Sequence, residues 1–319
     1  MTVVPFIRVS FIAARDRSSL LLLSPGFDSA MKIRNSLRHL MQNESLNFWL
    51  TNGLPRRSVT RWMGRLSKVR VWPVPQVSIG LWRLFTDVDL GDAKKSRFES
   101  LHDCFTRELV EGARLVDRRA SILSSPCDAI VGACGHVERH AMLQIKGQTY
   151  ALDDLLLDAA LAAHFDGGTY VTLRLTSAMY HRFHAPHDGV VTRVRYLPGD
   201  VWNVNPPTLR RVPRLFCRNE RAVIEMRIDA DGHRLALVPV AAILVASLRL
   251  HFADLHLHID YDGPSDVACD TKLVKGQEMG WFEHGSTIIV FAPRGFALAD
   301  GIGTGQRIRM GQALLQTPE

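Results

Sequence analysis

Two short segments carry residue types that can do chemistry. Near the C-terminus, Trp281-Phe282-Glu283-His284-Gly285-Ser286-Thr287 sets a serine directly after a glycine. Far upstream, Tyr180-His181-Arg182-Phe183-His184-Ala185-Pro186 supplies two histidines three residues apart, and His187 follows. A serine hydroxyl is a weak nucleophile until a base takes its proton, and an imidazole steadied by a carboxylate is a common base. Glycine at 285 leaves no Cβ beside the carbonyl that such a hydroxyl would attack, and it permits unusual φ/ψ. Taken alone, Gly285-Ser286-Thr287 is equally an ordinary turn feeding a strand. His181 and His184 share a face on a helical turn and lie on opposite faces of an extended strand, and spacing leaves both open.

These residues need a scaffold, and its pattern is mostly β. Ile288-Ile289-Val290-Phe291 is a β-branched apolar run that reads as a buried strand. From about Ser124 onward, further runs at 170–175, 189–196, 222–228 and 234–245 alternate with Gly, Pro and Asp turns. No βαβ series and no internal repeat appears. The expected fold is α+β: a mainly-β catalytic domain over 96–319, a helical region over 45–95 and an N-terminal extension over 1–44. The extension belongs to no motif; it reads as disordered or as a product of start-site choice. Ser96 or Ser100 suits the N-cap of a short helix.

The 45–95 region is basic and amphipathic. Arg57, Arg61, Arg65 and Lys68 recur at helical spacing, with Trp62, Leu66 and Val69 on a neighbouring face and Pro55 suited to the first turn. This is the pattern of a helix lying in a membrane interface, and also that of a surface helix packed on its own core. The formal charge of +7 favours an anionic partner. No groove-binding motif accompanies it, so nucleic acid is not expected. No apolar stretch reaches the length of a spanning helix, and the start lacks a signal-peptide pattern, so membrane contact should be peripheral. The five cysteines form no CxxC pair and no compact ligand set with histidine, which argues against structural zinc and for free thiols.

Further segments complete a pattern: Lys275-Gly276-Gln277-Glu278-Met279-Gly280 before the serine, Pro126-Cys127-Asp128-Ala129, Gly112-Ala113-Arg114 and Asn219-Glu220-Arg221. Together with Tyr180-His181-Arg182-Phe183-His184 and Gly285-Ser286-Thr287, they resemble the phosphatidylserine decarboxylase family over roughly residues 45–319. Proenzymes of that family cut themselves before such a serine and convert it to a pyruvoyl group. The resemblance implies that Ser286 attacks the Gly285 carbonyl to give an ester. Elimination then frees the Gly285 carboxylate and leaves dehydroalanine, and hydrolysis with loss of ammonia gives the pyruvoyl cofactor. A larger chain 1–285 and a smaller chain 286–319 would stay associated, with homo-oligomerisation left open. The Ser286-derived carbonyl would form a Schiff base with the amine of phosphatidylserine and yield phosphatidylethanolamine and carbon dioxide. By motif, His184 is the base for self-cleavage, Asp128 the carboxylate that orients it, and His181 the proton donor after decarboxylation. The implied location is peripheral, on the cytoplasmic side of the cell membrane, at an anionic surface. The resemblance also brings in kinship with barrel-sandwich folds.

Three departures stand out. Ala129 replaces the family's glycine, which would strain a turn of positive φ. His284 replaces an apolar residue before the Gly-Ser pair. His187 adds a third histidine, though without nearby ligands that would make a metal site. The alternatives are the same chemistry on a soluble amino acid, or an uncut, non-catalytic membrane-binding relative.

Overall fold

The computed structural model describes residues 43–143, 149–229, 232–244, 247–283 and 287–318. Residues 44–319 form one compact unit. All but the last two residues of the 1–44 extension lie outside the described residues, as do His284, Gly285 and Ser286.

Apolar runs and turn residues produce two main antiparallel sheets. Across the larger, the order is Asp266–Leu273, Gly189–Leu197, Arg221–Ile228, Arg234–Val240, Thr287–Ala292, Thr169–Arg174, Ala129–His136 and Arg307–Ile308. Every neighbouring pair is antiparallel. Thr287–Ala292 is buried at every residue, as its unbroken apolar run requires of a strand covered on both faces. The outermost strand, Asp266–Leu273, alternates exposed and half-buried residues instead. Among the described residues the two edge strands do not meet, so the sheet is open. The closed-barrel aspect of the expected kinship is corrected to an open sheet with helices in an α+β fold.

The smaller sheet runs Leu255–His258, Ser247–Leu250, Glu278–Phe282, Arg182–His184. Gly280 lies between two of its strands so tightly that a Cβ would stand 1.9 Å from the Arg249 carbonyl oxygen. The chain passes from the middle of this sheet, at Phe282, to the middle of the larger one, at Thr287. In sequence, Gly285-Ser286 falls between a strand of the smaller sheet and a strand of the larger.

The strand expected over 234–245 stops at Val240. Beyond it the polar groups of Ala241 are taken off the ladder. Its N–H donates to the Glu220 carbonyl (2.8 Å), and its carbonyl accepts from the Asn219 side chain (2.7 Å).

Helices precede the sheets: α1 Glu44–Asn52, α2 Arg56–Ser67, α3 Val74–Phe85 and the short α4 Leu101–Phe105. Pro55 is the residue just before α2, one place earlier than expected. Ser100 caps α4, its side chain accepting from the Asp103 N–H. Three basic residues of α2 are turned to the protein itself. Arg56 pairs with Asp200 (2.6 Å) and lies over the Trp202 ring, Arg57 donates to the Ile259 carbonyl, and Arg61 grips Asp260 (2.5 Å). They hold the helix to the strand-rich body. Apolar side chains face outward instead: Trp62, Trp72, Val77, Leu81 and Phe85 are all more than half exposed. No helix among the described residues is long and apolar enough to cross a membrane.

Candidate active site

His184 ends the strand Arg182–His184, and its N–H donates to the Pro126 carbonyl (2.8 Å), which draws the Asp128 turn against it. The ring is 8% exposed. Its Nδ1 lies 3.0 Å from the Gly276 carbonyl, and its Nε2 lies 3.1 Å from the Tyr180 hydroxyl. A carbonyl can only accept, so Nδ1 carries the proton. Burial lowers the imidazole pKa and so favours the neutral ring, although the Gly276 hydrogen bond and nearby Glu278 pull the other way. Nε2 therefore accepts from Tyr180 and is the basic nitrogen. Burial drives the Tyr180 hydroxyl pKa well up, so it stays a donor. Gly276 can aim its carbonyl this way because it holds φ +82, a conformation that side chains disfavour.

The bonds of Asp128 go elsewhere. Its carboxylate takes a forked contact from Arg114 (2.6 and 2.9 Å) and accepts the Met310 N–H (2.9 Å). Among the described residues, His184 Nδ1 meets the Gly276 carbonyl rather than the Asp128 carboxylate, whose negative charge nonetheless raises the His184 pKa. Arg114 also reaches Asp92 (3.0 Å).

Ala129 is the first residue of the strand Ala129–His136 and is absent from the positive-φ positions. The expected strain does not arise, because extended backbone accommodates alanine. Cys127 is fully buried, and burial raises its thiol pKa well above the usual range, so it packs rather than reacts.

His181 faces different neighbours from His184, as alternation along extended chain dictates. Its Nδ1 lies 2.7 Å from the Met179 carbonyl, and its fully buried ring sits 3.9 Å, centroid to centroid, from Phe105 of α4. His187 has a carbonyl near each ring nitrogen, Asp188 at 3.1 Å and Ala120 at 2.8 Å, and the N–H of a neutral ring donates to one of them at a time. Enclosure by backbone acceptors fits a structural role.

An apolar cavity of about 590 Å³ is separated from His181 by the Phe105 ring. Met63 and Leu66 of α2, Leu81, Trp82 and Phe85 of α3, and Phe105 of α4 form much of its wall. Arg174, Asn203–Asn205 and Ala242–Leu244 complete it. Its size falls within the ~300–1,000 Å³ of small-molecule sites. Phe105 lines the cavity on one side and touches His181 on the other.

Sequence reasoning missed a second cluster. Glu283, 7% exposed, is approached by Lys68 (3.0 Å), His256 (3.6 Å) and His102 (3.8 Å). His256 also meets the Ser247 hydroxyl at 2.6 Å. Burial alone would raise the Glu283 carboxyl, but His256 and Lys68 outweigh it and bring the pKa down to about 2. The four residues come from four distant segments, and no spacing announces them. Tyr180 was legible only as part of a motif, although its even spacing from His184 on extended chain was a usable sign.

Fold and site define a class: an α+β body of two antiparallel sheets with a buried imidazole on the smaller sheet and an apolar cavity walled in part by the ring that packs on His181. Comparison with known proteins narrows it. The family model "Phosphatidylserine decarboxylase" matches residues 101–316. The phosphatidylserine decarboxylase proenzyme of Haemophilus influenzae is 33% identical over 274 residues, covering 82% of this chain and 92% of the relative. Those of Psychrobacter cryohalolentis and Vibrio cholerae are each 34% identical, covering 82% and 84% of this chain and 95% of each relative. The chain belongs to the phosphatidylserine decarboxylase family, and a decarboxylase-type activity is its family-level function.

Proposed function

We propose that this chain cuts itself between Gly285 and Ser286 and then decarboxylates phosphatidylserine to phosphatidylethanolamine and carbon dioxide. The observation that carries the lipid reading is the apolar cavity, bounded by Phe105 where it touches His181 and by Arg174 opposite Thr287. A free amino acid needs no such volume of apolar wall. The uncut, non-catalytic alternative loses one of its two motives with the unstrained Ala129.

In this reading His184 Nε2 takes the Ser286 proton as the hydroxyl attacks the Gly285 carbonyl, displacing its bond to Tyr180. Asp128 favours the imidazolium that forms, by charge rather than by contact. The pyruvoyl group made from Ser286 supplies the electron sink that a serine lacks. The surroundings suit such a group: burial favours a neutral imidazole at His184, and the Thr287 hydroxyl is buried without a partner among the described residues. His181 delivers the proton to the substrate carbon after carbon dioxide leaves. The exposed apolar residues of α2 and α3 meet the membrane from its cytoplasmic side, and chains 1–285 and 286–319 stay associated.

Intact-mass analysis tests the first half. Two chains split at Gly285–Ser286, the smaller blocked by a pyruvoyl, are expected; a single uncut chain overturns self-processing. Carbon dioxide release from phosphatidylserine vesicles, compared with free serine, tests the second half. Release from serine alone overturns the lipid reading.

A further inference from the structure

One group in the cavity has no counterpart in the apolar wall around it. Arg174 closes the central strand Thr169–Arg174 and lines the cavity with Met63, Leu81, Trp82 and Phe105. Other buried arginines are answered. Arg114 has Asp128, Arg195 has Asp158 and Glu225, and Arg221 has the carbonyls of Asp154, Leu155, Cys217 and Asn219. Burial is the sole influence resolved on Arg174, and it lowers the pKa; no described carboxylate offsets it. A largely buried charge of this kind is costly unless something anionic meets it.

Its position adds meaning. Arg174 is directly opposite Thr287 in the antiparallel register, so their side chains share a face of the sheet. Thr287 follows the residue proposed to become the reactive carbonyl. Among the described residues the guanidinium is thus the one charged group in the cavity wall, next to the strand on which the chemistry begins.

We propose that Arg174 binds the phosphodiester of the substrate, with the acyl chains of the same glycerophospholipid filling the cavity. This rests on the phosphatidylserine reading. The forked guanidinium matches two phosphate oxygens at once. The apolar wall selects a lipid over a free phosphate, and Leu81 and Phe85, exposed and cavity-lining together, give the chains a way in. A phosphate on Arg174 leaves the serine headgroup, the next unit along the lipid, free to extend toward the Thr287 side of the cavity.

The experiment uses the processed enzyme and dihexanoyl phosphatidylserine, with dihexanoyl phosphatidic acid as a competitor that keeps the phosphate and lacks the serine. Arg174→Gln is expected to raise KM by ~10–100-fold, more than it lowers kcat, and to weaken competition by the phosphatidic acid in parallel. Arg174→Lys should recover part of both, since it keeps the charge and loses the fork. Intact mass shows whether each variant has folded and cut itself. Where Arg174→Gln does not, Arg174→Lys decides: a raised KM supports the assignment, and a wild-type KM overturns it. Wild-type KM and competition in a processed Arg174→Gln overturn the Arg174 assignment alone. A processed wild-type enzyme that ignores dihexanoyl phosphatidylserine overturns the substrate reading and this assignment with it.

Discussion

The chain is held on the two sides of Gly285-Ser286 by different forces. Downstream, Thr287–Ala292 is locked by burial of every residue and by hydrogen-bonded strands on both sides. Upstream, Glu278–Phe282 gives way to Glu283, held by Lys68, His256 and His102 from three other elements. The first restraint, apolar burial and a backbone ladder, is indifferent to pH; the second, a set of charged side chains, is titratable. A bond flanked this way has one fixed end and one adjustable end. It is the fixed end that carries the proposed nucleophile.

The largest expected effect tests whether the junction is cut at all. Ser286→Ala should give a single inactive chain with both flanks intact; two chains from this variant, read by mass, would falsify the proposed chemistry. Next, Ile289→Ala attacks the fixed end. A fully buried isoleucine between two strands should cost about 2–5 kcal/mol, measured by denaturant unfolding of the Ser286→Ala precursor. Glu283→Gln attacks the adjustable end and should cost less, about 1–3 kcal/mol, since the buried amide keeps its shape and loses its charge. A cost equal to that of Ile289→Ala would erase the distinction.

The pH dependence sharpens it further. Glu283 ionises at about 2 in the fold against an ordinary 4.5. Its contribution to stability is complete above pH 4.5 and is lost as pH falls toward 2. Burial lowers the His102 pKa below its ordinary 6.5, so below that pH the unfolded chain takes up a proton that the fold resists. Both act in one direction, and stability should decline on acidification. Glu283→Gln should flatten the lower part of that curve; an unchanged curve removes the cluster from the account. The smallest effect belongs to Lys68→Ala, about 1 kcal/mol or less, because the ammonium is 45% exposed and water screens it.

The same contrast explains what the sequence disclosed. Thr287–Ala292 was legible because an apolar β-branched run encodes a covered strand within six residues. The Ser100 cap was legible for the same local reason. The Glu283 cluster was not, because residues 68, 102, 256 and 283 meet only through the fold. The Asp128–His184 pairing was drawn from motifs; the acceptor at His184 Nδ1 in the fold is a backbone carbonyl, at Gly276, which no side-chain pattern can reveal. Ala129 was read as strained because a glycine was expected there, whereas the strand that begins at 129 places no demand on it. The basic residues of α2 were countable, but their partners Asp200, Ile259 and Asp260 lie far along the chain. Spacing could not distinguish a face turned to a membrane from one bonded to the protein's own body.

The position of Thr287–Ala292 changes what kind of object the protein becomes once the proposed cut is made. Residues 286–319 then supply a central strand of the large sheet, the edge strand Arg307–Ile308, and the strand Ala313–Gln316, which pairs with Ile122–Ser124 on one side and Ala297–Leu298 on the other. They also supply the Met310 N–H that holds Asp128. Before cutting, all of this folds as a one-body event. Afterwards the same contacts join two separate molecules, so recovery from the unfolded state becomes second order and depends on dilution. Maturation would thus turn a fold that can re-form at any concentration into one that, once taken apart, reassembles only when its halves find each other.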